Sequence, residues 1–120
     1  MTNRPVCAAI VGLGWWGRRI VDSIHGLSKK ITIIRVIDLR AETLEEIAAE
    51  KTLRVSSNLE DALKDKNVQA VILATPHSLH EKQIILCAAA GKHVFVEKPL
   101  ALSAEGAERA IRACEAAEVT

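Results

Sequence analysis

A chain of 120 residues, 49% hydrophobic and 26% charged, is long enough for one domain with its own core and has an ordinary globular balance. Its net charge of +1 gives no basic footprint for a nucleic acid. No apolar run approaches the roughly 18 residues of a membrane span, so no membrane partner is expected.

The opening MTNRPV lacks the apolar stretch of a signal peptide. Three cysteines, Cys7, Cys87 and Cys114, are too few and too scattered for a disulfide framework or a zinc site. A cytoplasmic protein with its cysteines in the core is expected. Aromatic residues are sparse, Trp15, Trp16 and Phe95, which argues against a base-stacking surface.

Apolar runs alternate with helical patterns along the chain. Val6 to Val11 reads as a buried strand, and a glycine-rich turn follows at Gly12 to Gly14. Gly17, Ile20, Val21, Ile24 and Leu27 then recur on one helical face. Ile31 to Asp38 is a second strand, β-branched apart from Arg35 and Asp38. Leu44, Ile47 and Ala48 mark a charge-rich helix, and Leu53 to Val55 a short edge strand.

Asn58 with Asp61 resembles a capping box before a short helix that buries Leu59, Ala62 and Leu63. Ala70 to Ala74 is a fourth strand. A helix from His77 to Ala90 is ended by Gly91, and His93 to Val96 is a fifth strand. Ser103 caps a last helix with a buried face of Ala107, Ala110, Ile111, Cys114 and Ala117. The pattern predicts an α/β, Rossmann-type doubly wound parallel sheet with strand order 3-2-1-4-5. Glu118 to Thr120 look like the opening of a sixth strand, so residues 1–120 are expected to be one domain truncated from a longer protein.

Gly12-Leu13-Gly14-Trp15-Trp16-Gly17 is G-x-G-x-x-G placed between a buried strand and a helix, the context that gives this motif its meaning. Gly12 allows the tight turn, Gly14 lets the backbone approach a pyrophosphate, and Gly17 lets the helix press on the sheet. The helix N-terminus offers free N–H groups and partial positive charge to phosphates. Trp15 and Trp16 belong with this site. Either one lines the cleft while the other faces solvent or a partner domain, or both only pack.

Asp38 ends the second strand, 21 residues after Gly17. An acid there hydrogen-bonds the adenosine ribose hydroxyls. A 2′-phosphate about 4 Å from it would cost roughly 4 kcal/mol at an effective dielectric near 20, before screening. NAD is therefore predicted over NADP. Arg40 pulls the other way, since its guanidinium can meet a 2′-phosphate or stack on adenine.

Three stretches carry a family resemblance: the glycine motif, Thr75-Pro76-His77-Ser78-Leu79-His80, and Ala90-Gly91-Lys92-His93-Val94 running into Glu97-Lys98-Pro99-Leu100. Together they resemble the glucose–fructose oxidoreductase / inositol dehydrogenase / MocA family. The resemblance implies a nicotinamide-binding domain followed by an α/β domain that carries the substrate pocket and most subunit contacts. It also implies hydride transfer on sugars, inositols or related polyols, in a homo-oligomer.

By the same resemblance, Thr75, Pro76 and His77 lie beside the nicotinamide ribose, although the family often has Asn where this chain has His77. His80 matches a recurrent histidine, Glu97 approaches the nicotinamide ribose, and Lys98 is the catalytic lysine, suited to exchange a hydroxyl proton. Independently of the resemblance, Gly12, Asp38, Thr75, Glu97 and Lys98 are expected at the carboxyl ends of the strands, where ligands bind at the switch between strands 1 and 4. His77 and His80 stand at i, i+3 but lack a third ligand, so no metal is expected. Two competing readings are a cofactor-binding sensor without turnover and, more weakly, an S-adenosylmethionine methyltransferase.

Overall fold

The computed structural model describes residues 4–120. Its five strands are β1 (Val6–Val11), β2 (Ile31–Ile37), β3 (Arg54–Ser56), β4 (Ala70–Leu73) and β5 (His93–Val96). They form one parallel sheet in the order β3-β2-β1-β4-β5, the order that the sequence pattern predicts. Helices α1 (Trp15–Ile24), α2 (Ala41–Lys51), α3 (Leu59–Lys64) and α4 (His80–Ala89) supply the crossovers, and α5 (Ala104–Ala116) follows the last strand. Parallel strands must be rejoined from the same side, so every carboxyl end emerges along one edge. The chain runs outward from β1 to β3 and then returns to β4 on the other side of β1. The gap between β1 and β4 is thus the topological switch point.

The unbroken apolar run of β1 follows from burial on both faces. Ala8 and Ile10 join Val21, Leu44 and Ile47 in one core cluster. Ala9 and Val11 join Leu73, Ile84, Cys87 and Ala110 in the other. Arg35 interrupts the apolar β2 because its Nε meets the Asp65 carboxylate at 2.7 Å. Cys87 is buried, Cys7 and Cys114 are half-buried, and all three are free thiols. Burial pushes the Cys87 thiol up to about 12, so it packs as a small apolar side chain.

Several boundaries differ from the sequence reading. Asp38 lies one residue past β2 and Ala74 one past β4, which places both at the open edge. Strand β3 starts at Arg54, and the buried Leu53 precedes it. The chain after β4 first makes a 3₁₀ turn, His77–Leu79, so α4 begins only at His80. Asn58 caps α3 through the Glu60 N–H at 2.9 Å. Leu27 falls beyond α1 and is exposed. Ile111 is 46% exposed, because α5 turns its small residues, Gly106 and Ala110, toward its neighbours. A Cβ on Gly106 would overlap the Glu81 carboxylate of α4. The last residue meets the free edge of β5, where Val94 N–H donates to the Thr120 carbonyl at 2.9 Å.

The turn from β1 into α1 leaves no room for a side chain at Gly12 or Gly17. Gly12 has φ +94°, and a Cβ there would stand 2.5 Å from the Ala74 carbonyl oxygen. A Cβ on Gly17 would overlap the Gly12 carbonyl oxygen itself. Gly17→Ala must therefore lift α1 off the sheet, at a cost of about 1–3 kcal/mol, the usual range for overpacking. Urea unfolding of the variant checks this, and a loss under about 0.5 kcal/mol would contradict the contact.

Candidate functional site

A cleft of about 690 Å³ lies over the switch point, lined by Gly12, Gly14, Trp15, Trp16, Asp38, Leu39, Arg40, Ala74, Thr75, Pro76, Leu79 and Gln83 among others. The sequence scatters these residues, and the common edge of the strands gathers them. At the end of the cleft, Trp16, Ala74, Thr75, His77, Glu97 and Lys98 line an adjoining hollow. Every residue expected at the site is thus at the cleft or its extension except Leu13 and His80.

The phosphate corner is built from backbone. Helix α1 starts at Trp15 with Gly14 as its N-cap, and no side chain caps it among the described residues. Arg18 is the first residue whose N–H bonds back, to the Gly14 carbonyl at 3.0 Å. The N–H groups ahead of it, with their share of the helix dipole, remain for an anion. The space where a Cβ of Gly14 would point is open. These features fit a dinucleotide diphosphate.

Asp38 is nearly buried, and its carboxylate is fully engaged. Leu13 N–H donates to Oδ2 at 2.6 Å and Arg40 N–H to Oδ1 at 2.8 Å. The Arg40 guanidinium donates to Oδ1 and Oδ2, both at 3.0 Å. Burial alone would raise the Asp38 pKa. The Arg40 guanidinium, helped by the Arg40 and Leu13 N–H groups, outweighs burial and holds the carboxyl below its ordinary value. A carboxylate offers about four acceptor positions, so a ribose hydroxyl can bind only by displacing a guanidinium donor.

The two tryptophans part company. Trp15 is 76% exposed, stacks on Trp16 at 5.9 Å between ring centroids and carries the Arg19 guanidinium 5.7 Å from its ring centroid. Trp16 borders both the cleft and the hollow, and its indole N–H donates to Glu97 Oε1 at 2.9 Å.

Two expected positions need correction. The Leu13 side chain is buried in the core, and its N–H is spent on Asp38, so Leu13 braces the acid from behind. The His80 side chain is 0% exposed, with Nδ1 2.7 Å from the Pro99 carbonyl and Nε2 3.0 Å from the Thr75 carbonyl. It lies under the loops and away from the cleft.

Sequence reasoning missed Gln83, whose Oε1 accepts the Thr75 hydroxyl at 2.5 Å; its place one helical turn after His80 was the available signal. It also missed Leu39 and Leu79, apolar side chains exposed at the cleft. Lys92 carries no ligand role. It is buried, and its Nζ donates to the Asp65 and Val68 carbonyls at 2.8 and 2.7 Å, at the opposite edge of the sheet. No group of three or more metal-ligating side chains occurs among the described residues.

Residues 6–120 match the model of an oxidoreductase family described as an NAD-binding Rossmann fold. The chain is 38% identical over 105 residues to 4-carboxy-2-hydroxymuconate-6-semialdehyde dehydrogenase of Sphingobium sp. (strain SYK-6), covering 87% of this chain and 33% of that one. It is 38% identical over 112 residues to inositol 2-dehydrogenase of Rhodococcus erythropolis, covering 92% and 32%. The WlbA dehydrogenase of Bordetella pertussis, solved with NADH and UDP-GlcNAcA, superposes with a TM-score of 0.89 at 34% identity, covering 97% of this chain and 36% of that one. The chain thus spans about a third of the length of these proteins. The match displaces the methyltransferase reading and gives no support to a sensor.

The lowered Asp38 pKa has a consequence for stability. Unfolded, an aspartate titrates near about 3.9, and the folded value lies below its ordinary one. The stabilisation is therefore present above the unfolded value and is lost as pH falls toward the folded one. Asp38→Asn should lose about 1–3 kcal/mol at pH 7 and show a shallower further loss below about pH 4. Urea unfolding across pH tests this, and identical acid slopes would refute it.

Proposed function

The chain belongs to the Gfo/Idh/MocA oxidoreductase family and is an NAD-binding Rossmann domain of it; from that premise we propose that it serves a dehydrogenase acting on a hydroxyl or carbonyl of a sugar, inositol or related polyol. One observation carries this reading. The open phosphate corner at Gly14, the Asp38 carboxylate and the Glu97-Lys98 pair converge along one edge of one sheet. The likenesses to an inositol 2-dehydrogenase and to a dehydrogenase solved with UDP-GlcNAcA support the substrate class.

In this reading the N–H groups at the start of α1 hold the diphosphate. Asp38 accepts from the adenosine ribose once Arg40 yields a donor position. Its charge disfavours a 2′-phosphate, with Arg40 as a partial counterweight. Thr75, Pro76 and His77 form the wall near the nicotinamide ribose, and Trp16 holds the Glu97 carboxylate at the same end. Bound NAD supplies the acceptor for a hydride. Lys98 Nζ takes the proton of the substrate hydroxyl in oxidation and returns it in reduction.

The substrate wall would come from a second, α/β domain of the full-length protein, with the pocket between the two. The sheet face beside α1 agrees with such a cover. An apolar groove of about 370 Å³ runs there, lined by Ile20, Ile24, Ile31, Ile72 and Phe95 and ending at Trp16 and Glu97. Phe95, a large apolar side chain on a strand face, is 59% exposed. Patches of this kind mark contact surfaces. The full-length protein is proposed to work as a cytoplasmic homo-oligomer. No helix among the described residues is long and apolar enough to cross a membrane.

Two measurements check the proposal. Asp38→Ala should weaken NAD binding by roughly tenfold or more and narrow the gap to NADP. Quenching of Trp15 and Trp16, the only tryptophans of the chain, reads both titrations, and unchanged selectivity would remove Asp38 from the ribose site. In the full-length protein, assayed with a polyol and sugar panel, Lys98→Ala should keep NAD affinity within about threefold while turnover falls about 10²–10⁴-fold. A fully active variant would exclude Lys98 from proton transfer.

A further inference from the structure

Lys98 stands on a loop with few visible supports. It lies two residues beyond β5 and is exposed, yet a proton-exchanging group needs a fixed position, because a displacement of about 1 Å can cost roughly 100-fold in rate. The support comes from below. His80 opens α4, is completely buried, and presents both ring nitrogens to main-chain carbonyls: Nδ1 to Pro99 at 2.7 Å and Nε2 to Thr75 at 3.0 Å. Pro99 directly follows Lys98, and Thr75 lies in the loop after β4 that forms the facing wall. One ring thus spans the two loops between which Lys98 works. Gln83, on the same side of α4, holds Thr75 a second time through its hydroxyl.

We propose that His80 is a positioning residue that sets the place of Lys98 relative to the β4 loop, a role that rests on Lys98 being the proton-exchanging group. The ring never meets cofactor or substrate. It acts through the Pro99 carbonyl, one peptide unit from Lys98, and through the Thr75 carbonyl on the opposite wall. A neutral imidazole donates to one of these carbonyls at a time, and the imidazolium donates to both. In either state the ring faces an acceptor on each side, which a generic buried histidine does not require. The glycine corner and Asp38 lie on β1 and β2, outside this brace, so dinucleotide affinity should be insensitive to it.

Three variants separate positioning from mere stability. An asparagine amide, attached at Cγ, stands where Nδ1 does and keeps the bond to Pro99. A glutamine amide reaches the Nε2 position and keeps the bond to Thr75. Leucine fills the space and keeps neither. In the full-length protein, His80→Leu should lower kcat about 100-fold while the Kd for NAD stays within about threefold. His80→Asn should recover more of kcat than His80→Gln. In the 120-residue chain, NMR should show the Lys98 amide resonance displaced in His80→Leu and restored in the same order, and in the unaltered chain a slowly exchanging His80 ring proton. Wild-type kcat in all three variants, losses that follow melting temperature whichever bond is kept, or a freely exchanging ring proton would overturn the proposal. Lys98→Ala, run alongside, distinguishes the two claims. If that variant is active, the proton-transfer role fails, and the Lys98 resonance still decides whether His80 positions it.

Discussion

The structure turns on the contact between the first helix and the first strand. Gly17 rests on the Gly12 carbonyl, and Gly12 rests on Ala74 at the end of β4, with no room for a Cβ at either glycine. That three-way contact joins α1, β1 and β4 at one point and holds the mouth of the switch point open. Because α1 comes in so close, its N-terminus points over the sheet edge, and its unpaired N–H groups become the floor of the cleft. Gly14, the glycine whose Cβ would meet only open space, marks where an anion can approach.

The polar groups around this corner are held ready by their neighbours. Asp38 is braced by Leu13 N–H and clamped by Arg40, while Glu97 is held by the Trp16 indole. The Arg40 clamp reconciles the conflicting signals of an acid and a cation two residues apart. In the free protein the guanidinium neutralises the acid, and in the proposed reading cofactor binding exchanges one of its bonds for a ribose hydroxyl. Preference for NAD then rests on what Asp38 does to a phosphate, less whatever Arg40 returns.

Much of this was legible in the sequence because it depends on local rules. Strand order, crossovers and the glycine corner follow from the alternation of apolar runs and helical faces, and Asp38 follows from its place after β2. The misreadings share a different cause. Period alone puts Ile111 on the buried face of α5, but the tight packing of α5 on α4 selects Gly106 and Ala110. Helical spacing starts α4 at His77, but the exit from β4 makes a 3₁₀ turn first. Leu13 and His80 lie in the site's motifs, yet both side chains are buried. A motif shows that residues matter near a site, and only burial and partners show on which side of the wall they stand.

That distinction has a physical origin. At the ends of parallel strands the ladder stops, and the carbonyls of the connecting loops lose their sheet partners while still lying near the core. Buried carbonyls need donors. At the cleft edge the His80 ring sets one nitrogen against each of the Thr75 and Pro99 carbonyls. At the opposite edge Lys92 donates to the Asp65 and Val68 carbonyls. Both residues are polar and buried, and both sit in the stretches that make the family recognisable. The requirement is the same at the two edges, but its effect differs. At the far edge the donated bonds close a loop. At the cleft edge they also fix the distance between two walls, so satisfying the backbone and aligning the chemistry become one task.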